Sequence, residues 1–348
     1  MKIPFRGNIA RMKGYLPGEQ PQDRGFIKLN TNENPYPPSP AVRRAVRAEA
    51  DASLRLYPDP DSTRLRRQAA LTYGFDLSRV IAGNGSDELL AMIARAFVGK
   101  GDTLCCPTPT YTLYETLIRI QGGRIAGVPY PEDYSLPAGL AARRAKVTIV
   151  SSPNSPSGTS VPTAVLADLA DRVPGVLVID EAYADFADET ALSLAREKKN
   201  VIVLRTLSKS FSLAGMRIGL GFAHPAILEG LNKVRDSYNL GRLAIAAGEA
   251  ALKDIGWMEK NAAKIRKTRA TLLAALPTLG FSPFPSQSNF VLARRLRGRS
   301  ARPVYEELKR RKILVRYFDT PRLAGSLRIT VGTDEEIGTL LAALGEML

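Results

Sequence analysis

Between residues 80 and 225, this 348-residue chain alternates short apolar runs with helical patterns. The runs at 147–150, 176–179 and 201–204 are rich in valine and isoleucine, and each has the length of a buried strand. Strands that alternate with helices in this way are typical of a mostly parallel sheet flanked by helices. The sequence therefore predicts an α/β fold.

The length and the C-terminal pattern predict a second domain. A chain of this size exceeds a typical single domain and can bury a substantial core. Residues 257–276 have helical periodicity and are basic, and they lead into strand-like runs at 288–293, 313–317 and 327–331, with a final helix from Asp334. We expect a large α/β domain at 46–250 and a small α+β domain at 251–348, with residues 1–45 as an N-terminal arm and connector that contributes to the small domain and to a dimer.

Lys209 follows the apolar run 201–204 in a segment that also holds Thr206, Ser208 and Arg217. A free lysine, with a pKa of ~10.4, is a poor nucleophile at neutral pH. Lysines that do covalent chemistry commonly form a Schiff base with a carbonyl partner, and pyridoxal phosphate is one such partner. The two hydroxyls and the guanidinium can donate to its phosphate. A solvated lysine after a buried strand is the alternative.

The run 176–179 ends at Asp180, with Tyr183 three residues later. A carboxylate beside a pyridine nitrogen favours the protonated ring, and this is the form that accepts electrons from a substrate carbanion. Tyr183, helped by Asn154 in the loop after 147–150, can hydrogen-bond the phenolic oxygen of the ring. An acid that caps a helix is the alternative for Asp180. Three successive strand ends thus carry groups that one cofactor needs.

A glycine loop with Gly85, Ser86 and Asp87 precedes a helical pattern. The start of a helix offers unpaired amides and a partial positive charge, which favour a bound phosphate. A dinucleotide fingerprint is disfavoured because Glu88 occupies the position of its third glycine. Ser86 and Asp87 also suit simple helix caps, a role that is compatible with phosphate binding.

Two arginines near the C-terminus indicate an anionic substrate. Arg328 lies in the alternating run 327–331, where apolar neighbours enclose the guanidinium, and an enclosed arginine needs an anion. Arg316 lies in a similar run at 313–317 and is the candidate for a second anion. An ion pair between Arg316 and an acid on the adjacent strand is the alternative.

Eight motifs in order carry a resemblance that covers nearly the whole chain, from about Tyr15 to Gly332. They are LNTNENPY, YPDP, GNGSDELL, PTPTY, SPNSPSGT, IDEAYADF, RTLSKSFSLAGMRIG and LRITVGT. This set resembles the fold-type I pyridoxal-phosphate aminotransferases, and among them it most resembles the histidinol-phosphate aminotransferases. The resemblance implies the fold of that family, a fold-type I transferase, and pyridoxal 5'-phosphate as the cofactor.

The resemblance also assigns roles to the matching positions. It makes Lys209 the Schiff-base lysine and proton shuttle, Asp180 the partner of the pyridinium, and Asn154 and Tyr183 the ligands of the ring hydroxyl. It implies that Tyr111 stacks on the cofactor ring. The cofactor phosphate would then be held by the backbone amides around Gly85, Ser86 and Asp87 and by the side chains of Thr206, Ser208 and Arg217. The resemblance also implies that Tyr57 reaches this phosphate from the neighbouring subunit.

For the substrate, the resemblance places Arg328 on an α-carboxylate and Arg316 on the substrate phosphate, with Tyr15 on the same phosphate. Many relatives have proline before this tyrosine, whereas this chain has Gly14. The implied reaction is transamination of L-histidinol phosphate with 2-oxoglutarate, giving imidazole acetol phosphate and glutamate, in histidine biosynthesis. An aromatic amino acid aminotransferase and a phosphothreonine decarboxylase are alternatives on the same scaffold. The family also implies a homodimer.

Composition adds limits to these expectations. The formal net charge is +15, but the basic residues are spread along the chain with little aromatic interleaving, so we expect no nucleic-acid partner. No run is long enough to span a bilayer, and the first residues lack the apolar core of a signal peptide, so we expect a cytoplasmic protein with no membrane partner. One histidine and two adjacent cysteines argue against a metal site.

Overall fold

A computed structural model describes residues 3–21 and 25–347 of the chain. Within this part we label α-helices and β-strands in chain order. The helices are α1 Gly7–Arg11, α2 Pro40–Glu49, α3 Thr63–Tyr73, α4 Gly85–Phe97, α5 Leu113–Gln121, α6 Thr163–Arg172, α7 Leu194–Glu197, α8 Pro225–Asn232, α9 Arg242–Lys253, α10 Ile255–Ala275, α11 Arg302–Arg310 and α12 Asp334–Met347. The strands are β1 Ile27–Leu29, β2 Val80–Asn84, β3 Thr103–Thr108, β4 Arg124–Pro129, β5 Val147–Ser151, β6 Val176–Asp180, β7 Val201–Thr206, β8 Ile218–Ala223, β9 Phe281–Pro283, β10 Phe290–Arg295, β11 Ile313–Tyr317 and β12 Ser326–Thr330.

Seven strands form one sheet in the order β2-β8-β7-β6-β5-β3-β4. Neighbouring strands are parallel except at β8, which is antiparallel to both β2 and β7. Alternate residues of each strand enter two separate apolar cores, so that Leu177 packs on one face and Val178 on the other. Both faces are buried, as expected for a parallel sheet covered by helices. The predicted α/β fold is confirmed.

Five strands form a second sheet in the order β1-β11-β12-β10-β9. The strand β1 pairs parallel with β11, so a segment near the N-terminus is part of this sheet. Helix α10 and helix α12 pack on it through Leu272, Leu340 and their neighbours. These pairings support an arm that joins the C-terminal part of the chain, while the boundaries 1–45, 46–250 and 251–348 stay a prediction.

The carboxyl ends of β2, β5, β6 and β7 lie along one edge of the large sheet, because these strands run in the same direction. Strand β8 runs the opposite way, so the residue before it, Arg217, reaches the same edge. Gly219 allows the close approach of β8 and α4, because a Cβ there would lie 2.4 Å from the backbone carbon of Gly85. The topology therefore gathers the candidate residues at one place.

No helix in the described ranges combines the length and the apolar character that crossing a bilayer requires. The same ranges contain no group of three or more histidine, cysteine, aspartate or glutamate side chains that could hold a metal ion.

Candidate active site

A cavity of about 400 Å³ opens at the carboxyl edge of the large sheet, and elements of both sheets contribute to its wall. Most of the residues expected from the sequence meet in it. Its lining includes Tyr15, Ser86, Asp87, Tyr111, Asp180, Tyr183, Thr206, Ser208, Lys209, Arg217, Arg316 and Arg328.

Lys209 lies in the loop that follows β7, and its side chain is part of the cavity wall. Its Nζ donates a hydrogen bond to the carbonyl oxygen of Thr31 at 3.3 Å. The amine also lies 5.8 Å from the centre of the Tyr183 ring. The lysine therefore points toward the candidate cofactor groups and not away from the cavity.

Asp180 is the last residue of β6, lines the cavity and is buried. Its carboxylate accepts hydrogen bonds from the Tyr114 hydroxyl at 2.6 Å and from the Ala182 amide at 3.2 Å. Burial raises the pKa of Asp180 to about 6, although both hydrogen bonds act in the opposite direction. A buried carboxylate of this kind is stabilised by a nearby cation, which suits a pyridinium nitrogen.

Tyr183 and Asn154 occupy different positions relative to the cavity. The Tyr183 hydroxyl lies at the wall and accepts a hydrogen bond from Asn32 Nδ2 at 2.9 Å. Asn154 is buried behind the wall, where its Oδ1 accepts from the Thr110 hydroxyl and its Nδ2 donates to the Ser157 hydroxyl, both at 2.9 Å. Its partner Thr110 lines the cavity. A direct contact of Asn154 with a cofactor ring stays a prediction.

One group of lining residues is rich in hydrogen-bond donors. Thr206 donates to the Ser208 hydroxyl at 3.0 Å, and Arg217 Nη1 lies 3.5 Å from the same oxygen. The first turn of α4 starts beside them at Gly85, which has a φ of +77°. A Cβ at Gly85 would lie 2.6 Å from Arg217 Nη2, so glycine lets the guanidinium lie against the start of the helix. Hydroxyls, a guanidinium and the start of a helix are groups that suit a phosphate, and phosphate binding at these residues stays a prediction.

The carboxylate of Asp87, in the first turn of α4, has two side-chain partners. Asp87 accepts hydrogen bonds from Arg217 Nη2 at 3.0 Å and from the Tyr111 hydroxyl at 3.1 Å. Glu88, and neither Ser86 nor Asp87, accepts the bond from the Asn84 amide that closes the first turn. The helix-cap alternative for Ser86 and Asp87 therefore has no support here. Asp87 instead orients both Arg217 and the aromatic ring of Tyr111.

These groups fit pyridoxal phosphate, the cofactor expected from the sequence. Phosphate donors, the buried carboxylate of Asp180 and the amine of Lys209 all line the same cavity. The side chain of Tyr111 lies on the wall next to this space, with its ring edge-on to Tyr114 at a centroid distance of 5.6 Å.

Arg316 and Arg328 are opposite each other on the neighbouring strands β11 and β12. Arg328 donates to the Ser155 hydroxyl at 3.1 Å and to the Asn30 carbonyl at 2.9 Å, and its Nε is buried without a hydrogen-bond partner in the described residues. Burial lowers the pKa of Arg328 to about 10, and the charge of Arg316 acts in the same direction. Two enclosed guanidiniums of this kind create a strong preference for an anion.

The alternative for Arg316, an ion pair with an acid on the adjacent strand, is wrong. The residue across from it is another arginine, and residues 3–21 and 25–347 provide it with no ion pair. Its guanidinium instead lies 5.4 Å from the centre of the Phe318 ring. The register between β11 and β12 places Arg328 across from Arg316, and the local sequence does not reveal that register.

The two remaining tyrosines differ in their access to the cavity. Tyr15 lines it, with its ring edge-on to Tyr111 at 5.9 Å. Tyr57 is 78% exposed, does not line the cavity and stacks on Tyr238 at a centroid distance of 4.4 Å. The predicted contact of Tyr57 with the site of a neighbouring subunit is compatible with this exposure and stays a prediction.

Sequence reasoning missed several residues of the site. Tyr114 holds Asp180, Asn32 holds Tyr183 and Ser155 holds Arg328. Glu33 and Phe318 also line the cavity. Asn32 and Glu33 belong to the motif LNTNENPY, so the sequence marks them as part of a motif but does not indicate what they contact. Tyr114 lies on α5, outside the eight motifs, and nothing in the sequence around it indicates a role.

Comparisons with known proteins agree with this geometry. The family model "Aminotransferase class I and II" matches residues 24–344. Histidinol-phosphate aminotransferases of Citrifermentans bemidjiense and Geobacter sulfurreducens are 48% and 49% identical to this chain, each over 99% of both sequences. The crystal structure of histidinol-phosphate aminotransferase from Sinorhizobium meliloti in complex with pyridoxal-5'-phosphate superposes with a TM-score of 0.91 at 27% identity, over 99% of this chain and 98% of that one.

A tetra mutant of Thermus thermophilus aspartate aminotransferase, at 20% identity and a TM-score of 0.84 over 99% of both chains, has the same fold. The matches to the family model and to the relatives extend over nearly the whole chain, and the residues at the carboxyl edge of the large sheet provide the groups that such an enzyme requires. The chain belongs to the class I and II aminotransferase family, among the relatives named histidinol-phosphate aminotransferase.

Proposed function

We propose that this protein is a pyridoxal-phosphate-dependent transaminase that converts L-histidinol phosphate and 2-oxoglutarate to imidazole acetol phosphate and glutamate, in histidine biosynthesis. The observation that carries the proposal is the pair Arg316 and Arg328, which face each other in the same cavity as Lys209 and Asp180. Such a pair favours substrates that carry a strong anion next to the reacting amine. The curated relatives with this name support the same substrate.

The chemistry divides between the cofactor and the chain. When bound, pyridoxal phosphate links to an amine through its aldehyde carbon and withdraws electrons from the substrate carbon that loses a proton. Lys209 is the attachment residue, and its amine, once released, takes the α-proton from the substrate and later returns a proton. Asp180 holds the proton of the ring nitrogen, and the Tyr183 hydroxyl donates to the ring oxygen. Thr206, Ser208 and Arg217 hold the phosphate.

The substrate arginines take separate anions in this proposal. Arg328, fixed by Ser155 and Asn30, binds the α-carboxylate of 2-oxoglutarate and glutamate. Arg316 and Tyr15 bind the phosphate of histidinol phosphate. One cavity therefore serves both half-reactions, with an arginine for each kind of anion.

We expect wild-type protein to have a specificity constant for L-histidinol phosphate at least about 100-fold above that for phenylalanine, and to release no carbon dioxide from phosphothreonine. In Arg316→Gln the constant for histidinol phosphate should fall about 10- to 100-fold, because hydrogen bonds to charged groups contribute about 1.5–3 kcal/mol. Phenylalanine has no phosphate, so its constant should stay within about 2-fold of wild type. Steady-state assays of each donor with 2-oxoglutarate measure these values.

Arg302→Gln is the matched control, because Arg302 lies outside the cavity, pairs with Asp319 and contacts the neighbouring Tyr317 ring. It should leave both constants unchanged. Equal use of phenylalanine and histidinol phosphate by the wild type would favour an aromatic amino acid aminotransferase. Decarboxylation of phosphothreonine would favour the other alternative.

The homodimer is the second part of the proposal. Tyr57 and Tyr238 form an exposed aromatic stack, and the nearby Leu54 and Leu56 are also exposed, which suits a surface that a second copy covers. Tyr57 would then reach the cofactor phosphate of the partner. The cytoplasmic location and the domain boundaries expected from the sequence stay predictions as well.

Hybrid dimers test whether Tyr57 acts across subunits. Lys209→Ala and Tyr57→Ala proteins should each be weakly active, but their mixture should recover activity after unfolding and refolding together. In a mixed dimer the Tyr57→Ala chain keeps Lys209 and receives an intact Tyr57 from its partner, so one of its sites is complete. Activity is measured against mock-refolded single variants, and mass is measured by sedimentation.

A mixture no more active than its components would show that Tyr57 serves its own chain or no site. Tyr305→Phe changes a tyrosine that packs on the core of the second sheet and stacks on Tyr317, away from the cavity. It is the control, and its mixture with Lys209→Ala should be no more active than Tyr305→Phe alone.

A further inference from the structure

A buried charged cluster lies directly behind the loop that carries Lys209. Arg205 donates to Glu181 Oε2 at 2.9 Å and to the Asp185 carboxylate, and its side chain is only 7% exposed. The Ser210 hydroxyl, on the residue after Lys209, donates to the other oxygen of Asp185. The three side chains Arg205, Asp185 and Ser210 form a continuous chain of hydrogen bonds, which we call the lysine brace.

The brace is anchored to elements outside the loop. Arg266 of α10 donates to the carbonyl oxygen of Asp185 at 3.2 Å. Arg269, one turn further along the helix, donates to the carbonyls of Phe186 at 3.1 Å and Ser288 at 2.8 Å. The backbone that carries Asp185 is therefore held by a helix that packs on the second sheet.

The opposite side of the lysine loop is held by another residue. Asn34 Nδ2 donates to the carbonyl oxygens of both Lys209 and Ser210, each at 3.0 Å. Its Oδ1 accepts from the Tyr36 amide, which fixes the orientation of the carboxamide. The backbone at 209–210 is thus held from the N-terminal segment on one side and by the brace on the other.

We propose that Ser210 and Asp185 are positioning residues for Lys209, with Arg205 orienting Asp185. The proposal rests on the proposed role of Lys209 as the attachment residue and proton carrier. None of the three brace residues lines the cavity, so they act through the position of the lysine backbone and not by contact with substrate. A displacement of about 1 Å at a reacting group can lower a rate by about 100-fold.

The charges of the cluster explain why the brace is specific. Two carboxylates, Glu181 and Asp185, share the single guanidinium of Arg205. Glu181 has additional donors in the Thr190 hydroxyl and the Ala191 amide, whereas Asp185 has Ser210 as its other side-chain donor in the described residues. The Asp185 carboxylate therefore holds Ser210 strongly, because a hydrogen bond to a buried charged acceptor is among the stronger ones.

The chain offers a matched control in the same loop. Ser212 lies two residues after Ser210, and its hydroxyl is buried with no hydrogen-bond partner in the part of the chain that the structure describes. Ser210→Ala and Ser212→Ala remove the same atom from the same loop, but only the first removes a brace contact. Ser210→Thr retains a hydroxyl at the brace position.

We expect Ser210→Ala holoenzyme to have a kcat about 10-fold or more below wild type with KM within about 2-fold, since the lysine is misplaced while substrate contacts remain. The pH at which the absorbance of the bound cofactor titrates should also shift, because this signal reports the surroundings of the Lys209 nitrogen without any substrate. Ser212→Ala should match wild type in both measurements, and Ser210→Thr should recover most of the loss.

Asp185→Asn provides a second variant in case one change simply destabilises the fold, and it should shift the absorbance titration in the same direction as Ser210→Ala. The proposal is overturned if Ser210→Ala and Ser212→Ala have equal kcat and equal titrations, or if Ser210→Ala lowers only the unfolding temperature. The assay uses whichever amino donor the wild type prefers, so a wrong substrate assignment does not affect it. A borohydride label at a residue other than Lys209 would instead refute the proposed role of that lysine.

Discussion

Alanine in place of Lys209 should eliminate covalent retention of pyridoxal phosphate and lower turnover by at least about 1,000-fold. A general base alone contributes about 100- to 10,000-fold, and this lysine is also the proposed attachment point. The fold should survive, because the only hydrogen bond that the Nζ makes to residues 3–21 and 25–347 is the 3.3 Å contact with the Thr31 carbonyl. The loop backbone is held separately by Asn34 and Ser210.

Borohydride reduction followed by tryptic mapping gives the direct measurement. Trypsin cleaves after Arg205 and Arg217, and a modified Lys209 is not cleaved, so the labelled peptide should span residues 206–217. Lys28→Ala is the control, because the Lys28 ammonium pairs with Glu33 on the cavity wall and its loss should leave the label in place. A label in any other peptide, or full turnover by the alanine variant, would contradict the assignment.

The large sheet could be predicted because its signals are local. Each strand that ends at the site is a short run of apolar residues, and both faces of the sheet are buried, so composition alone identifies them. The three-residue strands β1 and β9 could not be predicted, because their pairing with β11 and β10 is set by distant residues. The predicted strand at 288–293 starts instead at Phe290, because the Ser286 and Ser288 hydroxyls bond to the Phe290 carbonyl and hold the chain in a turn.

The site could be predicted to the extent that strand ends determine it. Strands β6 and β7 are parallel, so Asp180 at the end of β6 and Lys209 after β7 lie at the same edge of the large sheet. Their proximity therefore follows from the topology. Topology does not determine whether a given side chain reaches the cavity or stays buried behind its wall. Asn154 does not line the cavity, whereas Thr110, which comes from a different loop and donates a hydrogen bond to Asn154, does line it.

Partners that are distant in sequence explain most of what was missed. Tyr114 reaches Asp180 from α5, 66 residues away, and Arg316 faces Arg328 through the register of β11 and β12. The brace residues share this property, since Ser210 and Asp185 meet only after β6 and β7 are paired. Sequence motifs mark such residues as a group, but the contact that gives each its role depends on packing.

Asparagine in place of Asp180 should lower kcat by about 100- to 1,000-fold while the holoenzyme still forms. The change preserves the shape and the hydrogen bond from the Ala182 amide, which the asparagine Oδ1 accepts, while the Tyr114 hydroxyl must turn to accept from the new Nδ2. It removes the charge that favours a protonated ring, and loss of one preorganised electrostatic group costs about this factor. Single-turnover kinetics with histidinol phosphate should show slow proton removal. Asp168→Asn, at an exposed carboxylate paired with Arg172 on α6, is the control.

Asp180→Asn should lower kcat of the holoenzyme, but it should raise the stability of the cofactor-free protein near neutral pH. Burial raises the pKa of Asp180 from 3.8 to about 6, so the folded chain binds this proton more tightly than the unfolded chain does. The resulting stabilisation is present below about pH 4 and is lost as pH rises toward 6, at a cost of up to about 3 kcal/mol. Asparagine avoids this cost, because it has no proton to lose.

We therefore expect the unfolding temperature of cofactor-free Asp180→Asn, relative to cofactor-free wild type, to increase between pH 4 and pH 7. Thermal unfolding of both proteins at several pH values measures this difference, and the Asp168→Asn control should show no comparable increase. A difference that stays constant with pH would mean that Asp180 is ionised throughout in the folded chain. In that case the carboxylate is stabilised without the cofactor, and the pyridinium would not be needed to balance its charge.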